Sequence, residues 1–310
     1  MRLSTSHHFS SSGRRGLQKF GNILLEELKS RYGVKIVPES ARSDIHLTVI
    51  SGKLKKRAKN ILRIDGVYYD VIRRSMNNSI KRSIESSDGV IYQSKWCRKF
   101  ATTMLKTKSK LSTVVYNGVK QSCFQNLPVA QKEFDKAFIC CAHWRINKRL
   151  KSIVQSLLEV RKRTGVDLGM YVLGKPDYKQ KSDYIKYIGD VKSVAPFYAV
   201  ADYMCHICHL DACPNAVIEG LSAGLPVVCN NIGGTPEIVG SSGVQVELDR
   251  PFDFRYIKRM DDVGPNSVNT EKLVEGMVQV MNQDWQITRP ELDISASAKG
   301  YYDFFVSLLG

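Results

Sequence analysis

The stretch ADYMCHICHLDACPNAVIEGLSAGLPVVCN, residues 201–230, decides how the chain is read. An apolar run over 201–209 gives way to a turn, to the helical segment PNAVIEGLSAG, and to a second apolar run, LPVVCN over 225–230. Short apolar runs on either side of a helix make a βαβ unit of a parallel sheet. Val217 and Leu221 lie four apart on the core face of that helix. Pro214 suits its first position, where a missing N–H costs nothing, Asp211 or Cys213 stands near the cap, and Gly224 ends it. The start of such a helix presents backbone N–H groups at the carboxyl edge of the sheet, where a diphosphate or a sugar hydroxyl is welcome.

The same residues carry a competing spelling. Cys205, Cys208 and His209 form C-x-x-C-H, the pattern of a c-type haem attachment, and Cys213 adds a candidate zinc ligand. Either use needs Cys205 and Cys208 on one face. On a strand running to 209, side chains alternate and the two point to opposite faces. No second C-x-x-C or H-x-x-x-H completes a zinc set. The expectation is therefore buried strand thiols and no metal, with the chemistry in two acids, Asp211 and Glu219, that have seven residues between them. A carboxylate pair so placed can accept from several hydroxyls of a sugar or ribose; taken alone, it also reads as a cap and an exposed helix Glu.

Outward from this unit the alternation continues. Strands are expected at KAFICCA (136–142), LGMYVLG (168–174) and YIKYIGD (184–190), with a helix at RLKSIVQSLLEVRKRTG (149–165). In the first half, VKIVPE, IHLTVIS (45–51), GVIYQS (89–94) and LSTVVYNG (111–118) read as strands and GLQKFGNILLEELKSRYG (16–33) as a helix. The 310 residues suit two α/β domains, 1–130 and 131–290, with a terminal segment 291–310, the two facing one another across a cleft. After LPVVCN, the turn NNIGGTPEIVG places Gly233 and Gly234 where backbone can approach a ligand, with Thr235 as cap and Pro236 opening a helix.

Charge divides as the sequence does. Residues 1–130 hold 25 Lys and Arg against 8 Asp and Glu, whereas 131–310 hold 21 against 22. The whole excess behind the net charge of +16 belongs to the first half, in clusters such as KLKKRAKN (53–60), RRSMNNSIKR (73–82) and KSK (108–110). Such a field favours a polyanionic partner, or is a solvated face kept for solubility. Without interleaved aromatics or a reader motif, specific nucleic-acid recognition is not expected, and peripheral contact with an anionic membrane surface is. No window approaches a membrane span, no apolar core marks a secretory signal in MRLSTSHHFSSSGRRG, and eight scattered cysteines suit a reducing compartment, so a cytoplasmic location is expected.

At this point a family resemblance is plain. DACPNAVIEGLSAGLPVVCNNIGGTPEIVG is similar to the donor-site signature of the retaining family-four (group 1) glycosyltransferases, which have the GT-B fold of two Rossmann-like domains. There an acidic residue, seven residues and a glutamate precede an AxGxPVV…GGxPE run; here these are Asp211, in place of the more usual Glu, Glu219, Ala223, Gly224, Pro226 and the 233–237 turn. VVYNGV (114–119) resembles the PNGVD turn that closes the family's first domain, and HWRINKRL (143–150) its GRLxxxKG loop. Lys148 matches the lysine of that loop, while His143 holds the arginine's place and Arg145 stands two residues on. Less closely, SSSGRRGLQKFGNILLEEL resembles the family's Gly-rich first loop and helix.

The resemblance implies transfer of a sugar from a nucleotide-diphosphate sugar, such as a UDP- or GDP-sugar, to a glycan, lipid-linked or other acceptor hydroxyl, with retention and with neither cofactor nor metal. It assigns Lys148 and Arg145 to the donor diphosphate, Asp211 to the sugar hydroxyls and Glu219 to the ribose. Asp65, with Gly66, takes the place of a first-domain histidine beside the reacting sugar, with His46 as alternative. Gly13, Gly16, Asn117, Gly233, Gly234 and Thr235 line the donor site, and the terminal helix folds back on the first domain. A GT-B-fold epimerase of nucleotide sugars and a non-catalytic polyanion-binding protein are the rival classes.

Overall fold

A computed structural model of the chain describes residues 1–6, 16–107, 111–125, 129–247, 252–259 and 269–310. It divides into two units, the first comprising Met1–Lys120, Phe254–Lys258 and Pro290–Gly310, the second Gln121–Asp253 and Arg259–Arg289. The crossing comes at Gln121 rather than at 131, because the short turn Gln121–Phe124 is held by the second unit: the Phe124 ring lies 6.2 Å from that of Tyr198, and Gln121 donates to Arg289 O at 2.8 Å. No helix of the described residues is long and apolar enough to cross a membrane.

The first unit is one parallel sheet of six strands, β1 (Arg2–Thr5), β2 (Lys35–Val37), β3 (Ile45–Val49), β4 (Lys59–Ile64), β5 (Gly89–Tyr92) and β6 (Ser112–Val114), in the order β2-β1-β3-β4-β5-β6. Its helices are α1 (Gly16–Tyr32), α2 (Asn77–Ser86) and α3 (Lys95–Leu105). Strands β1 and β4 are not among those expected from the sequence. Both carry polar or charged residues, Ser4 and Thr5 in one and Asn60 and Arg63 in the other, that are nonetheless buried. The terminal helix, numbered α9 below and spanning Ile294–Leu309, packs on α1: Tyr301, Phe304 and Phe305 share one core with Phe20, Leu24 and Leu28.

The second unit is also a parallel six-stranded sheet, of β7 (Lys136–Cys141), β8 (Leu168–Leu173), β9 (Ile185–Gly189), β10 (Tyr203–His206), β11 (Val227–Asn230) and β12 (Gly243–Val246), ordered β12-β11-β10-β7-β8-β9. Counted from β7, this is the 3-2-1-4-5-6 order of a dinucleotide-binding sheet, with the order reversing between β7 and β10. Its helices are α4 (Leu150–Thr164), α5 (Ala195–Tyr198), α6 (Asn215–Ser222), α7 (Thr235–Val239) and α8 (Thr270–Met281). The α4 side chains Ile153, Val154, Leu157 and Val160 enter the core at the spacing expected of them.

Three local expectations need correction. Strand β10 stops at His206, so Cys208 and His209 lie in the following loop. There the Asn230 amide takes both backbone groups of Cys208, accepting from its N–H at 3.1 Å and donating to its C=O at 2.9 Å, in place of a ladder. Pro214 caps α6 in an extended conformation instead of opening it, and Gly234 caps α7, leaving Thr235 as its first residue.

Candidate functional site

In a doubly wound sheet the loops leaving the two strands at the reversal point diverge, and the crevice between them takes ligand. The loop after β7 carries Lys148 and the loop after β10 carries Asp211. Their charges meet, Lys148 Nζ standing 2.5 Å from Asp211 Oδ2. Trp144 fixes the first loop by donating its indole N–H to Leu173 O at 2.7 Å, and His209 N–H joins the second loop to Asn147 O at 2.9 Å. Residues 63 apart in the chain are thus held together by backbone as well as by charge.

Around this pair the loop gathers more polar groups. His206, Cys208 and Asp211 each bring a ligand-type atom within 4.8 Å of the others, and His206 Nε2 is 3.9 Å from Asp211 Oδ2. Burial would strip the proton from Lys148, but the Asp211 carboxylate, with the Cys208 thiol beside it, holds the ammonium charged above its usual range. Burial disfavours the Asp211 anion, yet Lys148, His206 and the Cys213 N–H keep it ionised below the usual carboxylate range. Burial, then Lys148, push His206 down to about 3, and burial raises the Cys208 thiol to about 11 against the pull of Lys148. The cluster is therefore a neutral imidazole and a protonated thiol around a lysinium–aspartate pair. His, Cys and Asp are a fair donor set for a borderline metal. Here the cation among them is the Lys148 ammonium.

The glycine turn serves this loop directly. Gly233 has φ +84°, and a Cβ there would sit 2.6 Å from Asp211 O and 3.0 Å from its N. Gly234 N–H donates to that same carbonyl at 2.7 Å. The turn expected to aim its N–H groups at a ligand thus gives one of them to the backbone of Asp211, fixing the acid from behind. Thr235 is fully buried at the start of α7.

Glu219 is not the exposed helix residue of the plainest reading: it is 7% exposed on α6, with the Tyr198 hydroxyl 3.5 Å from Oε2. Arg145 is exposed beside its loop and makes no ion pair among the described residues. A residue the sequence reading missed is Arg149, which is buried at φ +57° and caps α4. It stands where the GRLxxxKG pattern has glycine, and the sign was there to find: a side chain at a position whose backbone favours none. It lies close enough to His209 to push that imidazole, already lowered by burial, down to about 4.

The first unit holds the remaining candidates. Asp65 follows β4, but its Oδ1 accepts from Arg63 Nε at 2.6 Å, so the carboxylate expected to meet a hydroxyl is engaged by a buried guanidinium. Arg63, 1% exposed, also donates to Asn117 Oδ1 at 2.9 Å and to Tyr301 OH at 3.2 Å, and stacks 4.5 Å from the Phe20 ring centre. Asn117 donates in turn to Gln93 Oε1 at 3.3 Å. Arg63 thus gathers Asp65 and Asn117 into one network, which sequence alone did not suggest because a strand arginine reads as an exposed charge. His46 is buried on β3 with Nδ1 2.9 Å from Ser4 Oγ, a packed histidine. Gly16 opens α1, and Gly13 lies outside the described residues.

Comparison with known proteins follows this geometry. The family described as Glycosyl transferases group 1 matches residues 135–255, which span both loops and the glycine turn. No curated protein sequence matches the chain. Among solved structures, a glycosyltransferase from Rickettsia africae is similar with a TM-score of 0.61 at 14% identity, over 99% of this chain and 98% of that one. Sucrose-phosphate synthase from Thermosynechococcus elongatus gives a TM-score of 0.67 at 10% identity, over 100% and 94%. HepE from Anabaena, solved with UDP and glucose, gives 0.59 at 12% identity, over 99% of each chain. The two sheets are those of the GT-B architecture.

Proposed function

With residues 135–255 matching the family described as Glycosyl transferases group 1 and both units carrying the GT-B sheets, we propose that this chain transfers a sugar, with retention and without a metal ion, from a nucleotide-diphosphate sugar to an acceptor hydroxyl. The observation that carries the reading is the Lys148–Asp211 pair, held by two loops at the reversal point of the second sheet. A UDP-sugar is the donor we favour, since HepE was solved with UDP and glucose; a GDP-sugar is the alternative in the same site. The eight cysteines, none of them in a disulfide, suit a cytoplasmic setting.

In this mechanism the donor diphosphate draws the Lys148 ammonium from Asp211. Asp211, released from its ion pair, accepts from hydroxyls of the transferred sugar. As the glycosidic bond breaks, negative charge grows on the leaving diphosphate and positive charge on the sugar ring. Lys148, already charged and carried on a loop held in place before substrate arrives, meets the first once it has left Asp211. Arg145, exposed at the same loop, adds a second cation, and Glu219 on α6 takes the ribose. The cationic work that another fold gives to a metal is assigned here to Lys148 and Arg145.

The test is incubation of the full chain with UDP- and GDP-sugars and a panel of glycan and lipid-linked acceptors, followed by NMR of the products. Transfer, or slow donor hydrolysis without acceptor, supports the reading. Release of an altered sugar without acceptor replaces it with epimerase chemistry, and an untouched donor panel removes it. The anomeric configuration of the product decides retention.

A further inference from the structure

The connection from β4 to α2 in the first unit has an unusual surface. Val71 is 55% exposed, Ile72 66% and Met76 48%, three large apolar side chains within six residues. They are not on a loose segment. Val71 N–H donates to Ile257 O at 2.9 Å, Ile257 N–H donates to Tyr69 O at 3.0 Å, and Asp70 pairs with Ile257 as an isolated parallel bridge. The Asp70 carboxylate closes the turn by accepting from Arg73 N–H at 3.0 Å and from Arg73 Nε at 2.8 Å. Beneath lies an aromatic base: Tyr69 faces Phe100 at 6.4 Å, and Phe100 stacks on Trp96 at 4.6 Å and meets Phe254 at 6.3 Å.

Cations surround this apolar tip, three of them lying over neighbouring rings. Arg73 lies 5.2 Å from the Tyr68 ring centre, Arg74 4.8 Å from Tyr256, and Lys99 5.4 Å from Phe254. Lys81 and Arg82 line a shallow groove along α2 with Asn78 and Glu85. Over residues 65–107 there are eight Lys and Arg against four Asp and Glu, and two of those acids, Asp65 and Asp70, are already engaged by Arg63 and Arg73.

We infer that this turn docks the protein on an anionic lipid bilayer, Val71, Ile72 and Met76 entering the interface while Arg74, Lys81, Arg82 and Lys99 meet the headgroups. Apolar side chains pressed outward cost free energy in water and regain it at an acyl boundary, and each nearby cation adds attraction to anionic lipid. A second copy of the chain would bring like charge against like charge. Nucleic acid would prefer an exposed aromatic on which to stack, and the rings here, Tyr68, Tyr256 and Phe254, are half-buried with Arg73, Arg74 and Lys99 lying over them. The docking stands on this surface alone. Naming the acceptor as lipid-linked rests on the transfer reading above, since a turn leaving the carboxyl end of β4 brings that edge of the sheet to the membrane.

The full chain is floated with vesicles of phosphatidylcholine, with and without phosphatidylglycerol, at low and high salt. It is expected to float with the anionic vesicles alone and to be released by salt. The double substitution Val71→Ser with Ile72→Ser is expected to lower partitioning at least about tenfold with an unchanged thermal midpoint, because both side chains are already exposed. Arg74→Gln is expected to weaken it and flatten the salt dependence. No flotation, equal flotation on neutral vesicles, or an apolar double variant that floats like the parent overturns the inference. Donor consumption followed in the same samples separates a failure of docking from a failure of the transfer reading.

Discussion

Lys148 and Asp211 face each other with opposite charge in a pocket of groups that burial has made neutral. Removing one leaves the other uncompensated, so Lys148→Ala is expected to cost at least about 3 kcal/mol in the barrier, a fall of roughly a hundredfold or more in turnover read by donor consumption. A parental rate in that variant would remove the site assignment. The histidines predict a pH effect. His206 is held at about 3 and His209 at about 4, below their value near 6.5 in the unfolded chain. As pH falls from about 6.5 toward 4 the unfolded chain takes up protons that the fold refuses, so stability is lost on acidification, by up to about 1.4 kcal/mol per pH unit for each imidazole. A thermal-unfolding series is expected to show this fall, and the double substitution His206→Gln with His209→Gln to flatten it. At Gly233, alanine must adopt φ +84° and push on Asp211 O, so Gly233→Ala is expected to lose about 1–3 kcal/mol in urea unfolding and to weaken donor binding with it.

At the scale of elements, the stop of β10 at His206 makes the site. Had the strand run to 209, Cys208 would have joined a ladder and Asp211 would have left the sheet further from Lys148. Asn230 prevents this, and Asn230→Ala is expected to leave the Cys208 N–H and C=O without their partner, costing about 1–3 kcal/mol and speeding amide exchange at Cys208. The βαβ pattern around this point was legible because apolar runs and a capped helix alternate in the sequence. The end of the strand was not, because the side chain that ends it lies 22 residues away. Helix α9 is the matching case in the first unit. Deleting Ile294–Leu309 is expected to expose Phe20, Leu24 and Leu28 and to melt that unit's core, seen as dye binding to apolar surface, while the second unit's core, which shares no residue with it, persists.

Over the whole molecule, charge and chemistry are divided between two units. The basic excess lies in the first unit and the stretch that resembles the family's donor-site signature in the second, so under the proposed function a nucleotide sugar is expected to stabilise the second unit selectively. At a hundred times its dissociation constant it adds about 2.7 kcal/mol, which a calorimetric scan reads as a rise in that unit's transition. A panel of UDP- and GDP-sugars that shifts neither transition counts against the donor site. The sequence by itself determined the α/β class, the two acids Asp211 and Glu219 ahead of the glycine turn, and the charge asymmetry, because each is written in local periodicity, spacing or composition; Lys148 is marked only by the likeness of its loop to the family's. Only the tertiary structure decided that the ammonium of Lys148 sits in the haem-like box, that Arg63 has taken Asp65, that Gly233 presses against Asp211, and that Val71 and Ile72 are held outward above a ring of cations. These depend on which loops lie side by side in space. Neighbours in a parallel sheet are set by packing between strands far apart in the chain, and no local pattern records them.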